Sequence, residues 1–198
     1  MLEDAYATGD KMTESLSNSP TISVIIPCRN EEKHIYSCLE SVFASTYKNV
    51  EVVIIDDAST DSTVKIAELF PCKIIKLDKN SGAANAKNIG ISQAKGEIIY
   101  ILDADAVIEK HSLEKVYELL TKNPHLAGVD GLWSYKPLNK GLFPQYQALD
   151  MYFRMTSQLK TGYSFYWGNG SAIRKKVFLN SGGFNTNYLG AGCEDYEI

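Results

Sequence analysis

The chain has 198 residues, of which 44% are hydrophobic and 22% charged, enough for one sizeable core. A net charge of -4 without a basic stripe speaks against binding a nucleic-acid backbone, and no uninterrupted apolar run approaches the ~20 residues of a membrane-spanning helix. Cys28, Cys38, Cys72 and Cys193 form no C-x-x-C pair and have no histidine at metal-ligand spacing, so they read as buried, reduced thiols of a cytosolic protein.

Residues 1–20 are polar and acidic with no apolar h-region, and read as a mobile tail and not a signal peptide. TISVIIP, residues 21–27, is β-branched without alternation, which predicts a strand covered on both faces. Asn30 stands where it can cap a following helix, with Glu31 and Glu32 in the first turn. In that helix Ile35, Cys38, Leu39, Val42 and Phe43 make one apolar stripe. VEVVII, residues 50–55, is a second covered strand and ends in Asp56-Asp57. ASTDS then launches a helix through Phe70. CKIIKL, residues 72–77, is a third strand, SGAANAKNIGISQAKG a helix of small residues, and EIIYIL, residues 97–102, a fourth strand running into Asp103 and Asp105.

Strands alternating with helices predict a parallel sheet with right-handed crossovers, whose ligands sit at the carboxyl ends of the strands. The residues just after each strand therefore carry the most information. Asp56, Asp57, Asp103 and Asp105 are expected to converge on one rim, where like charges need a cation or a hydrogen-bonding ligand between them.

The second half is less regular. HSLEKVYELLTKN, residues 111–123, is an amphipathic helix with Ser112 as its cap. LAGVDGLWSY, residues 126–135, fits a strand. LFPQYQALDMYFRMTSQLK, residues 142–160, is helical, and its apolar surface (Tyr146, Leu149, Met151, Tyr152, Phe153, Met155) is expected to face the core. A glycine-punctuated stretch, residues 163–184, precedes Glu194-Asp195. Arg174-Lys175-Lys176 reads as a helix start on a solvated face. His34, His111 and His125 read as surface histidines.

VIIPCRNEE, VVIIDDASTDST, NSGAANAKNIGISQAKGE, YILDADA, GNGSAIRKKVF, GGF and ED, in that order, together resemble family 2 glycosyltransferases of the GT-A fold, from about Thr21 to the end. The resemblance implies an α/β, Rossmann-like, mostly parallel central sheet flanked by helices. It implies one domain over 21–198, C-terminally incomplete, with a nucleotide-binding half (21–110) and an acceptor-side half (111–198). The activity it implies is transfer of a sugar, with inversion, from a nucleoside diphosphate sugar to an acceptor hydroxyl.

The same resemblance assigns residues. Asp105 matches the acid of the D-x-D motif that holds a divalent Mn or Mg. Asp103 matches the acid nearer the ribose, reaching the metal through water, and the small Ala104 permits the tight turn between them. Asp57 matches the acid that reads the base, a uracil in the favoured reading. Pro27, Arg29 and Glu31 match the loop lining the nucleoside pocket. Arg29 stands where an aromatic ring is common, and its guanidinium suits stacking on a base. Asn85 and Lys87 fall on the small-residue helix, Lys87 at a position suited to donor phosphates. Close helix–sheet packing explains Gly82, Ala83 and Ala84 equally.

Asp195 matches the general base that takes the acceptor proton. Alone, Glu194 and Asp195 read as acids opening a helix. Trp167, Gly168, Asn169 and Glu194 are expected to form the sugar and acceptor wall, with a buried tryptophan as the plainer reading. The implied partners are a UDP-sugar and a saccharide or lipid-linked acceptor, and the implied location is the cytoplasm, with peripheral association at the inner membrane face left open. Three rival readings stand beside this one: a receiver-like phosphoacceptor domain with its acidic pair after an early strand, a nucleotidyltransferase of related architecture, whose usual glycine-rich loop after the first strand PCRNEE lacks, and a truncated nucleotide-sugar-binding module without turnover.

Overall fold

The computed structural model describes residues 22–132, 134–136, 140–161 and 170–186. The expected tail, residues 1–20, lies outside them. The elements in chain order are β1 (Ile22–Cys28), α1 (Ile35–Phe43), β2 (Val50–Asp56), α2 (Thr63–Ala67), β3 (Lys73–Lys76), α3 (Ala83–Gln93) and β4 (Ile98–Ile101), then α4 (Ser112–Lys122), β5 (Gly128–Asp130), α5 (Leu142–Thr161), β6 (Ser171–Arg174) and α6 (Lys175–Ser181).

One six-stranded sheet runs in the order β3-β2-β1-β4-β6-β5. β1 pairs in parallel with β2 and β4, and β2 with β3, while β6 is antiparallel to β4 and β5. The expected mostly parallel sheet is thus observed, and the strands of the second half extend it.

The uninterrupted apolar runs are explained by two cores, one on each face. Ile22, Val24 and Ile26 of β1, Val52 and Ile54 of β2 and Ile98 and Tyr100 of β4 pack with Ile35, Cys38 and Leu39 of α1 and Leu113, Val116 and Leu120 of α4. The alternate residues Ile25, Val53, Ile55, Ile99 and Ile101 pack with Ala84, Ala86 and Ile91 of α3 and Phe178 of α6. A strand of period two with helices on both sides needs apolar side chains at every position.

The small residues of α3 have a steric cause. A Cβ built on Gly90 would lie 2.4 Å from Ile55 Cδ1 and 2.8 Å from Ile25 Cγ2, so this helix rests directly on β1 and β2.

Several local expectations are corrected. α1 starts after His34 and has no acid in its first turn, so Asn30 does not cap it and Glu31 and Glu32 precede it. α2 ends at Ala67 and the chain turns through Phe70. His111, not Ser112, is the N-cap residue of α4, and the strand expected over 126–135 is confined to Gly128–Asp130.

α5 does not turn its rings into a core: Leu142, Phe143, Tyr146, Leu149 and Phe153 are all exposed, Tyr146 by 67%. Helical periodicity reports an apolar face but not what covers it.

Arg174 and Lys175 are not simply solvated. The Arg174 guanidinium donates to the carbonyls of Leu126 (2.8 Å) and Leu120 (2.7 Å), and Lys175 Nζ donates to Ala94 O at 2.5 Å. They tie β6 to the C-terminal carbonyls of α4 and α3, where cations are favoured. His34, His111 and His125 are exposed, as expected.

Candidate functional site

The chain leaves β1, moves outward through β2 and β3, then returns to the other side of β1 as β4. That reversal is a topological switch point, where open α/β sheets leave a crevice beyond the strand ends. The backbone binds the emerging segments side by side: Asp57 N donates to Cys28 O at 2.9 Å, and Leu102 N to Ile25 O at 3.0 Å. Pro27, half-buried, is the next-to-last residue of β1, and Arg29, exposed, follows the strand at this end.

The loops after β1 and β2 are locked together. Asn30 takes a left-handed backbone with φ 56°, which an Asn tolerates through local hydrogen bonding. Its backbone N–H donates to Ser59 Oγ at 2.9 Å, and its Oδ1 accepts from Thr60 N at 2.8 Å. Glu31 N donates to Thr63 Oγ1 at 2.7 Å and Glu32 N to Asp61 Oδ2 at 3.1 Å, while Glu32 Oε2 accepts from Ser62 N at 3.1 Å. The N–H groups that Asn30 was expected to cap are thus not its partners. It joins two loops instead, and so fixes Pro27, Arg29 and Glu31 relative to Asp57.

Asp57 is 6% exposed. Its carboxylate accepts from Ser81 N (2.7 Å), Ser81 Oγ (3.0 Å) and Gly82 N (2.9 Å), joining the end of β2 to the start of α3. Gly82, the N-cap residue of α3, has φ 87°. Asp56 is buried, accepts a long bond from Ser59 N at 3.4 Å, and leaves Oδ1 without a partner among the described residues.

β4 ends at Ile101, and a turn closes beyond it through a bond from Ala106 N to Asp103 O of 3.0 Å. Ala104 is 3% exposed and packs into the core shared by α1 and α4. Its neighbours in sequence are turned the other way: Asp103 is half-buried and Asp105 exposed. The small residue between the acids is therefore the anchor of the turn.

Two thiols register how the acids gather. Burial pushes Cys38 up to about 12, helped by the charges of Asp105, Asp103 and Glu31. Cys28 is also pushed up to about 12, by burial and then by Asp56 and Glu31. Carboxylates from the loops after β1 and β4 and from the last residue of β2 thus lie near the carboxyl end of β1 and the helix beside it. The Cys38 thiol donates to Asp103 O at 3.6 Å. Cys28 and Cys38 are buried free thiols, as expected, Cys72 is a half-buried one, and Cys193 lies outside the described residues.

On α3, Asn85 is half-buried and Lys87 is 3% exposed, with Nζ 4.9 Å from the centre of the Phe184 ring. Asn88, which the sequence reading passed over, pairs with both backbone groups of Phe184: Nδ2 donates to the carbonyl at 2.8 Å and Oδ1 accepts the N–H at 3.0 Å. The fixed order of an Asn on the small-residue helix and a later GGF was the available signal. Trp167, Gly168, Asn169, Glu194 and Asp195 lie outside the described residues.

Among the described residues no three His, Cys, Asp or Glu side chains are grouped to hold a metal ion. Asp103 and Asp105 supply hard oxygen donors only. That fits a Mg or Mn ion that takes one or two protein carboxylates and fills its shell with phosphate and water.

A family model described as Glycosyl transferase family 2 matches residues 23–181. The chain belongs to glycosyltransferase family 2. Glycosyltransferase GlyG of Streptococcus pneumoniae is 37% identical over 105 residues, covering 50% of this chain and 35% of its own length. The poly-beta-1,6-N-acetyl-D-glucosamine synthase of Staphylococcus epidermidis is 39% identical over 114 residues, covering 56% of this chain and 28% of its own length. The family 2 chain thus matches only about a third of each of these relatives.

Among solved structures, the mannosyltransferase PcManGT from Pyrobaculum calidifontis in complex with GDP-Man and Mn2+ superposes with a TM-score of 0.68 at 26% identity, covering 91% of this chain and 51% of that one. S. aureus TarS 1-349 in complex with UDP-GlcNAc gives a TM-score of 0.66 at 22% identity, covering 89% and 51%. The fold is GT-A. Its strand order and antiparallel β6 differ from the 2-1-3-4-5 sheet of receiver domains, which removes the phosphoacceptor reading. No helix among the described residues is long and apolar enough to cross a membrane.

Proposed function

We propose that this family 2 chain transfers a sugar, with inversion, from a UDP-sugar to a hydroxyl of a saccharide or lipid-linked acceptor, with help from Mn or Mg. The observation that carries the reading is the gathering of Glu31, Asp57, Asp103 and Asp105 at the carboxyl ends of β1, β2 and β4, beside the topological switch point. The relative bound to GDP-Man and Mn2+ supports a nucleotide-sugar donor and a divalent cation.

In this reading residues 21–110 bind the nucleotide and residues 111–198 serve the acceptor. Arg29 stacks on the base, and Pro27 and Glu31 line its pocket. Asp57 keeps lone-pair capacity beyond its three internal donors for a uracil N–H. Asp105 would hold the cation and Asp103 would approach it through water beside the ribose. A bound cation neutralises charge on the leaving diphosphate. Asn85 faces the donor, and Lys87 contributes positive charge to its phosphates from within the fold.

Asp195 takes the proton of the acceptor hydroxyl, a role worth about 10²–10⁴-fold in rate. Trp167, Gly168, Asn169 and Glu194 shape the wall for sugar and acceptor.

Calorimetric titration with UDP, with and without Mn, tests the reading. Wild type should bind UDP more tightly with the metal, and Asp105→Ala should lose that metal-dependent gain. Equal binding by Asp105→Ala, or none by wild type, overturns it.

A further inference from the structure

The segment Gly182-Gly183-Phe184 is held against α3 by an arrangement that local folding alone does not require. Gly182 ends α6 with a left-handed φ of 95°, the usual glycine stop. Gly183 is also left-handed, at φ 78°, and a Cβ there would lie 2.9 Å from Asn88 Oδ1 and 3.4 Å from Phe178 Cε1. The second glycine is therefore needed so that the backbone can reach the Asn88 side chain.

Phe184, 2% exposed, packs on Phe178 with ring centres 5.1 Å apart and takes the Lys87 ammonium over its face. Asn88 closes the contact from 96 positions away in sequence, donating at 2.8 Å and accepting at 3.0 Å. The carboxamide thereby acts on Phe184 as a neighbouring strand would, satisfying its N–H and its carbonyl at once.

We propose that Asn88 is a positioning residue for transfer: its amide pins Phe184 to the helix bearing Asn85 and Lys87, and so fixes where the chain sets out toward Glu194 and Asp195. Asp195 follows Phe184 by eleven positions. The proposal rests on the reading of Asp195 as general base. A base that must meet an acceptor proton within hydrogen-bond reach depends on the placement of the segment it hangs from, and displacement by about 1 Å costs on the order of 100-fold. Donor binding in this reading rests on the loops interlocked through Asn30 and Asp57 and on Asn85 and Lys87 of α3, a helix held by its packing on β1 and β2, so it is separable from the clamp.

The test uses the full chain as wild type, Asn88→Ala and Asn88→Asp. Calorimetry with UDP and Mn reports donor affinity. Release of UDP from the UDP-sugar that wild type turns over fastest, followed against pH, reports transfer to acceptor or water.

Asn88→Ala should keep UDP affinity within about twofold and lose roughly 10- to 100-fold in kcat. Asn88→Asp keeps the acceptor for Phe184 N–H but sets a carboxylate against Phe184 O. Its kcat relative to wild type at the same pH should rise as acid protonates that carboxyl and restores a donor. Unchanged kcat in Asn88→Ala, or parallel loss of kcat and UDP affinity, overturns the positioning role while leaving the transferase reading intact. A flat relative pH profile for Asn88→Asp also overturns it. A wild type that turns over no UDP-sugar overturns the transferase reading and the positioning role with it.

Discussion

Gly90→Ala sets helix propensity against packing, and the structure decides the sign. In the interior of an exposed helix, Gly to Ala is worth about 1 kcal/mol of stabilisation. At Gly90 the new methyl would meet Ile55 Cδ1 at 2.4 Å and Ile25 Cγ2 at 2.8 Å. The Ile55 terminal methyl can swing aside. The Ile25 Cγ2 is a β-branch methyl on a fully buried central strand and has no such freedom. Its 2.8 Å approach falls short of a ~3.5 Å carbon contact by about 0.7 Å, so α3 must lift off the sheet.

Overpacking of this kind costs about 1–3 kcal/mol, which outweighs or cancels the propensity gain. The expected net is a loss of up to about 2 kcal/mol in urea unfolding, with a lowered midpoint and an unchanged slope. Because α3 begins at the Ser81–Gly82 turn held by Asp57, UDP affinity should fall as well. A Gly90→Ala variant more stable than wild type would refute the close approach of α3 to β1.

Two further outcomes test the loops. Ala58 has φ 60°, a left-handed backbone that costs an L-residue roughly 1–2 kcal/mol, so Ala58→Gly should raise stability by about 1 kcal/mol after the entropy of the freer unfolded chain is subtracted. A stability loss in thermal unfolding would show that this strain is absent. Partial burial pushes the Glu51 carboxyl up, but bonds from Ser23, Lys95 N and Gly96 N and the Lys95 charge outweigh it and hold the group below its ordinary value. The stability it contributes is present above the unfolded pKa of about 4.3 and is lost as pH falls through the lower folded pKa. Glu51→Gln should be less stable than wild type at neutral pH, and the gap should close in acid below about pH 4. A gap that widens in acid would reverse the sign of this linkage.

Much of the candidate site was legible because it is local. Asp56-Asp57 and Asp103-Ala104-Asp105 follow apolar runs too continuous for anything but strands covered on both faces, and a parallel sheet gathers its strand ends on one side. The misread residues failed where a side chain chose a distant partner over a local one. Asn30 carries the signature of a helix cap, yet its donor and acceptor go to Ser59 and Thr60. Arg174 looks solvated beside Lys176, yet its planar guanidinium collects carbonyls at the end of α4. Phe143, Tyr146 and Phe153 of α5 belong to a core-like repeat but remain exposed.

The sequence by itself determined the order of strands and helices through β4, the face-by-face apolar pattern and the acids at the strand ends, since each follows from backbone period and the chemistry of adjacent residues. Only the tertiary structure decided that Ala104 is the buried anchor of its turn, that Gly90 makes room for Ile25 and Ile55, and that Asn88 grips Phe184. Those contacts join residues far apart along the chain. Hydrogen bonds and steric contacts act over a few ångströms of space, whatever the number of residues between the partners.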